Sequence, residues 1–402
     1  MIDMSTDSSS AQRPGLAGAT AYTSLSHVDG QAGELVIRGF AVEELATKAS
    51  YEEAAYLLWN DRLPDAAQLA GFKRSLVSER RLPAATLALL QAAARQSVAP
   101  MDALRMAAGT LILRNEDEPA SANTAQRDAL SVVARFPVIV AAYWRLLNGL
   151  EPIAPRADLD HAANTLYMLT GQEPSGARVR ALETYLVALI DHALNASTFT
   201  ARTIISTQSD LISAVTGAVG ALKGPLHGGA PGPALQTVLD IGSIANAEPY
   251  LRSKLERGER LMGFGHRDYK VRDPRTYVLS FAARQIYEAE GRLDIYQLAI
   301  EVEHIAVRLL AQYKPGRALY ANVEYYAGLL LHGVGLPADL FTPTFAIART
   351  AGWVAHSLEQ QAANRLMQPQ SIYTGPLNRA WIPLHARIAP SSAGAILPHL
   401  GE

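Results

Sequence analysis

The stretch EVEHIAVRLLAQY, residues 301–313, decides the fold class. Its apolar side chains Val302, Ile305, Ala306, Leu309 and Leu310 recur at i, i+3, i+4, i+7 and i+8, the stripe a helix turns towards a core, and His304 falls on the polar side. The same period runs through 84–96, 101–113, 126–148, 158–170, 177–194 and 278–289, where alanine fills many apolar positions and lets helix backbones pack closely. Ser50 and Glu53 form a capping box ahead of YEEAAYLLW, satisfying first-turn N–H groups. Two short extended runs in SLSHVDGQAGELVIRGF, residues 24–40, flank Asp29-Gly30, the turn chemistry of a small hairpin. With no βαβ alternation and no fixed-period repeat, the predicted fold is all-α with a minor N-terminal β-hairpin.

The 402 residues suffice for one large domain or several smaller ones with a substantial core. Lys and Arg number 36 against 38 Asp and Glu, a formal net charge of -2, which argues against nucleic acid or an anionic membrane as a partner. The absence of cysteine excludes disulfides, thiolate nucleophiles, iron–sulfur clusters and zinc–thiolate sites. The longest apolar runs, such as 136–144 and 211–222, fall short of the ~20 residues of a membrane span. Residues 1–14 are polar and Ser-rich and read as a disordered tail. They fit neither a secretory signal nor a transit peptide, so a cytoplasmic enzyme is expected.

Gly and Pro punctuate the helical pattern. GLEPIAPRA (149–157) reads as a linker. Three irregular stretches carry ionisable groups: GPLHGGAPGP (224–233), LMGFGHRDYKVRDPR (261–275) and YKPGRALYANVEYY (313–326). No P-loop, dinucleotide fingerprint, HExxH or GxSxG motif is present, so nucleotide binding by those motifs, a metal site and serine hydrolysis have no support. What remains is His192, His227, His266, Arg275, Glu324 and Arg349. Together they would suit carbon-acid chemistry on an anionic substrate: a carboxylate takes a proton beside a carbonyl, histidine N–H groups stabilise an oxyanion, and arginines clamp carboxylates. Each also has a structural reading: His192 satisfying a core carbonyl, His227 and His266 serving loop backbone, Arg275 pairing at a helix start after Asp-Pro, and Arg349 buried. His332, His356, His385 and His399 have no evident partner and are read as structural.

GPLHGGA, GFGHRDYKVRDPR, NVEYYAGLL and FAIARTAGWVAH, in that order and spacing, resemble the citrate synthase family. The resemblance extends from about Gly15 to the C-terminus and takes in LAGATAYTSLSHVDGQAGELVIRGFAVEELA, YEEAAYLLW and LDHAANTLYMLTGQEP. It implies a large helical domain of residues 15–228 plus 336–402, a smaller helical domain of 229–335 inserted into it, and a homodimer with shared sites. It further implies condensation of an acyl-CoA, acetyl-CoA first, with a 2-keto acid, oxaloacetate first, followed by thioester hydrolysis. No cofactor beyond the CoA thioester is implied. His227 would stabilise the enolate, His266 would polarise the keto carbonyl, and Glu324 would be the base. His192, Arg275 and Arg349 would hold the keto acid. Gly263, Phe264 and Gly265 resemble the adenine-contacting loop, with Lys314 and Arg317 placed to meet CoA phosphates.

The chain departs from that pattern in places. Glu324 stands where the family has aspartate, moving the basic oxygens by roughly 1.5 Å. Gln368 stands where an arginine reaches the neighbouring subunit's site, keeping a donor but losing charge, with Arg365 nearby in sequence. Ala193 replaces a frequent glutamate, and Pro231 and Gly232 an Asn-Glu pair. These departures leave two alternatives: the same chemistry on another acyl-CoA or keto acid, as in 2-methylcitrate synthases, or a weak CoA-binding paralogue with an assembly or regulatory role.

Overall fold

Helix Phe341–Ala362 is the axis of the fold, buried along nearly its whole length and packed on helices Thr124–Leu147, Gly176–Ala188, Ala196–Ser206 and Leu211–Leu222. Small residues make this possible: a Cβ at Gly352 would lie 2.4 Å from the carbonyl oxygen of Ile190, so only glycine lets the two backbones approach. The structure is a computed structural model describing residues 21–113, 124–228 and 231–387. These contain sixteen α-helices and one three-stranded antiparallel sheet. Residues up to Met367 form one compact unit and those from Gln368 a second. The described part of the second unit has one short 3-10 turn, Leu384–Ala386, and exposed apolar side chains including Ile372 and Trp381. The expected tail at 1–14 and His399 lie outside the described residues.

The helical segments form where the period places them. Residues 301–313 end helix Leu293–Tyr313, which buries Val302, Ala306, Leu309 and Leu310 and leaves His304 exposed. The capping box is present at helix Tyr51–Asn60: Ser50 Oγ accepts the Glu53 N–H, and the Glu53 carboxylate accepts the Ser50 N–H. Helix Ala125–Leu147 is long and apolar enough to cross a membrane, longer than the uninterrupted runs of sequence suggest, and most of that stretch is buried among the other helices.

The expected helix over 177–194 stops at Ala188. Ile190 N–H turns to Val187 C=O instead of Leu186, and further on the bond from Ala193 N–H to Leu189 C=O has lost both ends: Ala193 N–H goes to Ser26 Oγ at 2.8 Å, and Leu189 C=O takes Arg349 Nε–H at 2.7 Å. Tertiary hydrogen bonds outcompete local periodicity here, and Ala193 takes a positive φ of 46°. Residues 189–195 thereby become a loop carrying His192.

The hairpin is real but larger than a two-residue turn. Strands β1 (Ser26–Asp29) and β2 (Glu34–Ile37) pair with Asp29 opposite Glu34, and β3 (Phe40–Ala41) adds a third strand. The Asp29 carboxylate accepts the N–H groups of Gln31 and Ala32, closing a four-residue loop. Gly30 serves contact rather than turn geometry: Lys270 N–H donates to its carbonyl at 2.8 Å, so the hairpin tip rests on the segment that carries His266.

Candidate active site

Helix starts deliver two of the six candidate residues. Asn195 caps helix Ala196–Ser206, Asp273 caps helix Pro274–Ala289, and Asn322 caps helix Val323–Val334, each through a side-chain oxygen accepting a first-turn N–H. Arg275 and Glu324 therefore stand in the first turns of their helices. Arg349 comes from the buried axis helix, and His192, His227 and His266 from loops. All of these converge: His192, His227, His266, Arg275, Glu324 and Arg349 line one cavity of about 710 Å³, together with Asn195, Phe199, Leu226, Arg267, Asn322 and Phe345 among others.

His227 Nε2 lies 3.2 Å from the backbone nitrogen of Ser197 and 2.8 Å from its Oγ. A backbone N–H can only donate, so Nε2 carries the lone pair and the ring proton sits on Nδ1. Burial first, and the Arg349 charge second, push its pKa down to about 4, so the ring is neutral at pH 7. His266 is fixed in the opposite tautomer. Its Nδ1 accepts the N–H groups of Asp268 at 3.1 Å and Tyr269 at 3.3 Å, leaving the proton on Nε2. Burial and Arg275 lower its pKa as well. His192 is fully enclosed, hydrogen-bonded through Nε2 to Tyr269 OH at 3.1 Å, and held well below the usual histidine range by burial, Arg275 and Arg349.

Arg275 forks onto Asp273 through Nε at 3.0 Å and a terminal nitrogen at 2.7 Å, the helix-start ion pair, while also lining the cavity. Asp273 accepts the Val323 N–H as well, at 3.2 Å, tying the arginine's helix to the segment that bears Glu324. Among the described residues Arg349 makes one hydrogen bond, to Leu189 C=O, and it stands 4.9 Å over the Phe345 ring. Burial draws its pKa down to about 10, which leaves it cationic at neutral pH. No carboxylate is hydrogen-bonded to it among the described residues, so the cavity retains a positive charge suited to an anion. The Glu324 backbone N–H donates to Asn322 Oδ1 at 3.0 Å, and its carboxylate has no hydrogen-bond partner among the described residues. Burial raises its pKa to about 7, against the pull of Arg275, and Asp273 adds to the rise. A carboxylate poised near neutrality in a cleft is the arrangement a general base needs.

Other expected residues fall outside this group. Of Gly263, Phe264 and Gly265, only Gly265 lines the cavity. The three act structurally here: Gly263 C=O accepts Asn322 N–H, Gly265 N–H donates to Tyr320 C=O, and the Phe264 ring packs 5.2 Å from that of Tyr325. They thus hold Asn322, which caps the Glu324 helix. Lys314 and Arg317 are exposed in the turn after Tyr313 and do not line the cavity. Gln368 opens the second unit.

Sequence reasoning missed several partners. His356, read as having none, accepts Arg202 N–H at Nδ1 (2.8 Å) and bonds Asp191 Oδ2 through Nε2 (3.2 Å), holding the residue next to His192. His332 likewise meets Tyr287 OH at 2.7 Å. Asn195, Asp273 and Asn322 carried a usable signal, an Asn or Asp just before a helical run. Tyr269 and Trp353 lie within the motifs GFGHRDYKVRDPR and FAIARTAGWVAH, whereas Ser197 carried no signal.

The citrate synthase, C-terminal domain, family matches residues 15–370. The chain is 40% identical over 376 residues to citrate synthase 2 of Bacillus subtilis, covering 93% of this chain and 98% of that one. It is 40% identical over 368 residues to the 2-methylcitrate synthase of Mycobacterium tuberculosis, covering 90% of each. Among solved structures it resembles the citrate synthase of the archaeon Thermoplasma acidophilum in ternary complex with carboxymethyl coenzyme A and oxaloacetate. The TM-score is 0.83 at 27% identity, over 91% of this chain and 97% of that one. The convergent histidines, arginines and carboxylate thus sit in a chain that belongs to the citrate synthase family.

Proposed function

We propose that this protein is an acyltransferase that condenses acetyl-CoA with oxaloacetate. The observation that carries the reading is the pair of imidazoles, each neutral, each locked by backbone amides into a defined tautomer, facing the same cavity as an unpaired carboxylate. Glu324 removes a proton from the carbon next to the thioester carbonyl. The Nδ1–H of His227 stabilises the enolate oxygen, and the Nε2–H of His266 draws electron density from the keto carbonyl. A carbon–carbon bond then forms, and water cleaves the thioester to release CoA. Arg349, with Arg275 and His192, orients the keto acid by its carboxylates. No metal or further cofactor enters this scheme.

Family resemblance supports the remaining assignments: CoA held near Gly263, Phe264 and Gly265 with Lys314 and Arg317 at its phosphates, Gln368 serving the keto-acid end of the neighbouring subunit's site, and a cytoplasmic homodimer. Residues 229–335 would act as a small domain that closes on the large one and excludes water. A second reading, propionyl-CoA as acyl donor, is favoured by the equal identity to a 2-methylcitrate synthase. Thiol release measured over a grid of acyl-CoAs and 2-keto acids tests both. We expect the highest kcat/KM with acetyl-CoA and oxaloacetate. Preference for propionyl-CoA selects the second reading, and no release with any pair overturns both.

A further inference from the structure

Positions 349, 352 and 356 share one face of the axis helix, at i, i+3 and i+7, and residues 189–191 run along that face. Leu189 C=O takes Arg349 Nε–H at 2.7 Å. A Cβ at Gly352 would meet Ile190 C=O at 2.4 Å and Asp191 Oδ1 at 2.8 Å, and His356 Nε2 lies 3.2 Å from Asp191 Oδ2. Arg202 donates to His356 Nδ1, so the ring proton sits on Nε2 and goes to Asp191. Ser26 Oγ accepts Ala193 N–H and gives its own hydrogen to the same carboxylate oxygen. Burial opposes ionisation of Asp191, but His356, the Arg349 charge and Ser26 hold its carboxyl below the usual range. A fully buried carboxylate therefore lies against the axis helix one turn beyond Arg349, its Oδ1 without a hydrogen-bond partner among the described residues.

The two charges share no hydrogen bond, yet each acts on the other through the protein interior. Among the described residues Asp191 is the one carboxylate that supports the Arg349 cation in this way. Arg275 opposes it, and burial keeps the Tyr185 phenol neutral. We propose that Asp191 is a positioning residue acting through Arg349: it balances the guanidinium without occupying its N–H groups, and so limits how tightly they take the keto acid. The same negative charge that steadies Arg349 repels a substrate carboxylate across a poorly polarisable interior, while the guanidinium keeps its hydrogen bonds for that carboxylate. Asp191 does not line the cavity and touches no substrate. This rests on the reading of Arg349 as a clamp for the keto acid.

Asp191→Asn keeps an oxygen for Ser26 and His356 and removes only the charge. At pH 7, titration calorimetry with oxaloacetate should show roughly tenfold tighter binding than wild type, because a repelling charge has gone. Without oxaloacetate the variant should melt at a lower temperature than wild type, its guanidinium left unbalanced. Ser26→Ala cuts the tether to Ala193 but keeps the charge, and should not tighten binding. A purely structural Asp191 predicts weaker binding in both variants. In Asp191→Asn/Arg349→Met neither charge is left alone, so this protein should melt above Asp191→Asn. Unchanged or weaker oxaloacetate binding by folded Asp191→Asn overturns the proposal, as does equal tightening in Ser26→Ala or a double variant no more stable than Asp191→Asn. If Asp191→Asn fails to fold, recovery of folding in the double variant supports the proposal and continued failure overturns it. A wild type that binds no oxaloacetate would instead remove the reading of Arg349, while the melting comparison still tests the charge pairing.

Discussion

Gly30 and the backbone of Asp268 are in contact so close that a Cβ on Gly30 would sit 2.1 Å from the Asp268 carbonyl oxygen. The two residues are far apart in sequence, yet the hairpin tip sets the height of the loop on which Asp268 N–H and Tyr269 N–H fix the tautomer of His266.

Gly30→Ala should therefore act at a distance. The added methyl must push the 266–270 loop by roughly 1 Å, a displacement that can cost on the order of 10²-fold in rate when it falls on a reacting group. We expect kcat/KM to fall by about that factor while the far-ultraviolet circular dichroism stays native. Steady-state kinetics unchanged from wild type would show that the hairpin does not support His266.

Glu324 links activity and stability through one ionisation. Its folded pKa of about 7 lies above the ordinary carboxyl value of 4.5, so the folded state binds the proton more tightly than the unfolded chain. Falling pH through 7 towards 4.5 hence adds stability from this group, and rising pH through the same window removes it. Activity moves the other way, because only the carboxylate is a base: kcat/KM should climb with pH to a plateau above about 7. Glu324→Gln should abolish condensation yet melt at a higher temperature than wild type at pH 8, with the difference shrinking by pH 5. Residual turnover near the wild-type rate would mean the base lies elsewhere.

Arg202 anchors the buried polar layer beneath His192. Its guanidinium serves Gln360 and His356 at 3.1 and 2.8 Å, the Glu359 carboxylate at 2.7 Å, and the Tyr22 carbonyl at 3.1 Å. Arg202→Met leaves those acceptors unpaired, and breaking such a buried pair costs about 3–5 kcal/mol. The urea midpoint should drop accordingly. A midpoint within experimental scatter of wild type would reduce the layer to a passive filler.

Much of the architecture was legible because helix formation is local. A period of 3.6 in 301–313, the Ser50/Glu53 box and the Asp29 side chain closing the hairpin loop each encode their element within a few residues. The 177–194 stripe misled because what ended that helix was remote, Ser26 and Arg349 taking the hydrogen bonds it would have made. His356 was unreadable for the same reason, its partners Arg202 and Asp191 each lying more than a hundred residues away.

The amino-acid sequence by itself determined the helical class, the family and the residue types capable of enolate chemistry, since these depend on neighbouring positions and on motif order. Only the tertiary structure decided which nitrogen of each imidazole holds its proton, that Glu324 is desolvated to near-neutral pKa, and that Arg275 is already paired while Arg349 is not. Tautomer, desolvation and charge balance are set by groups a few ångströms away in space, and chain order alone carries no measure of that distance.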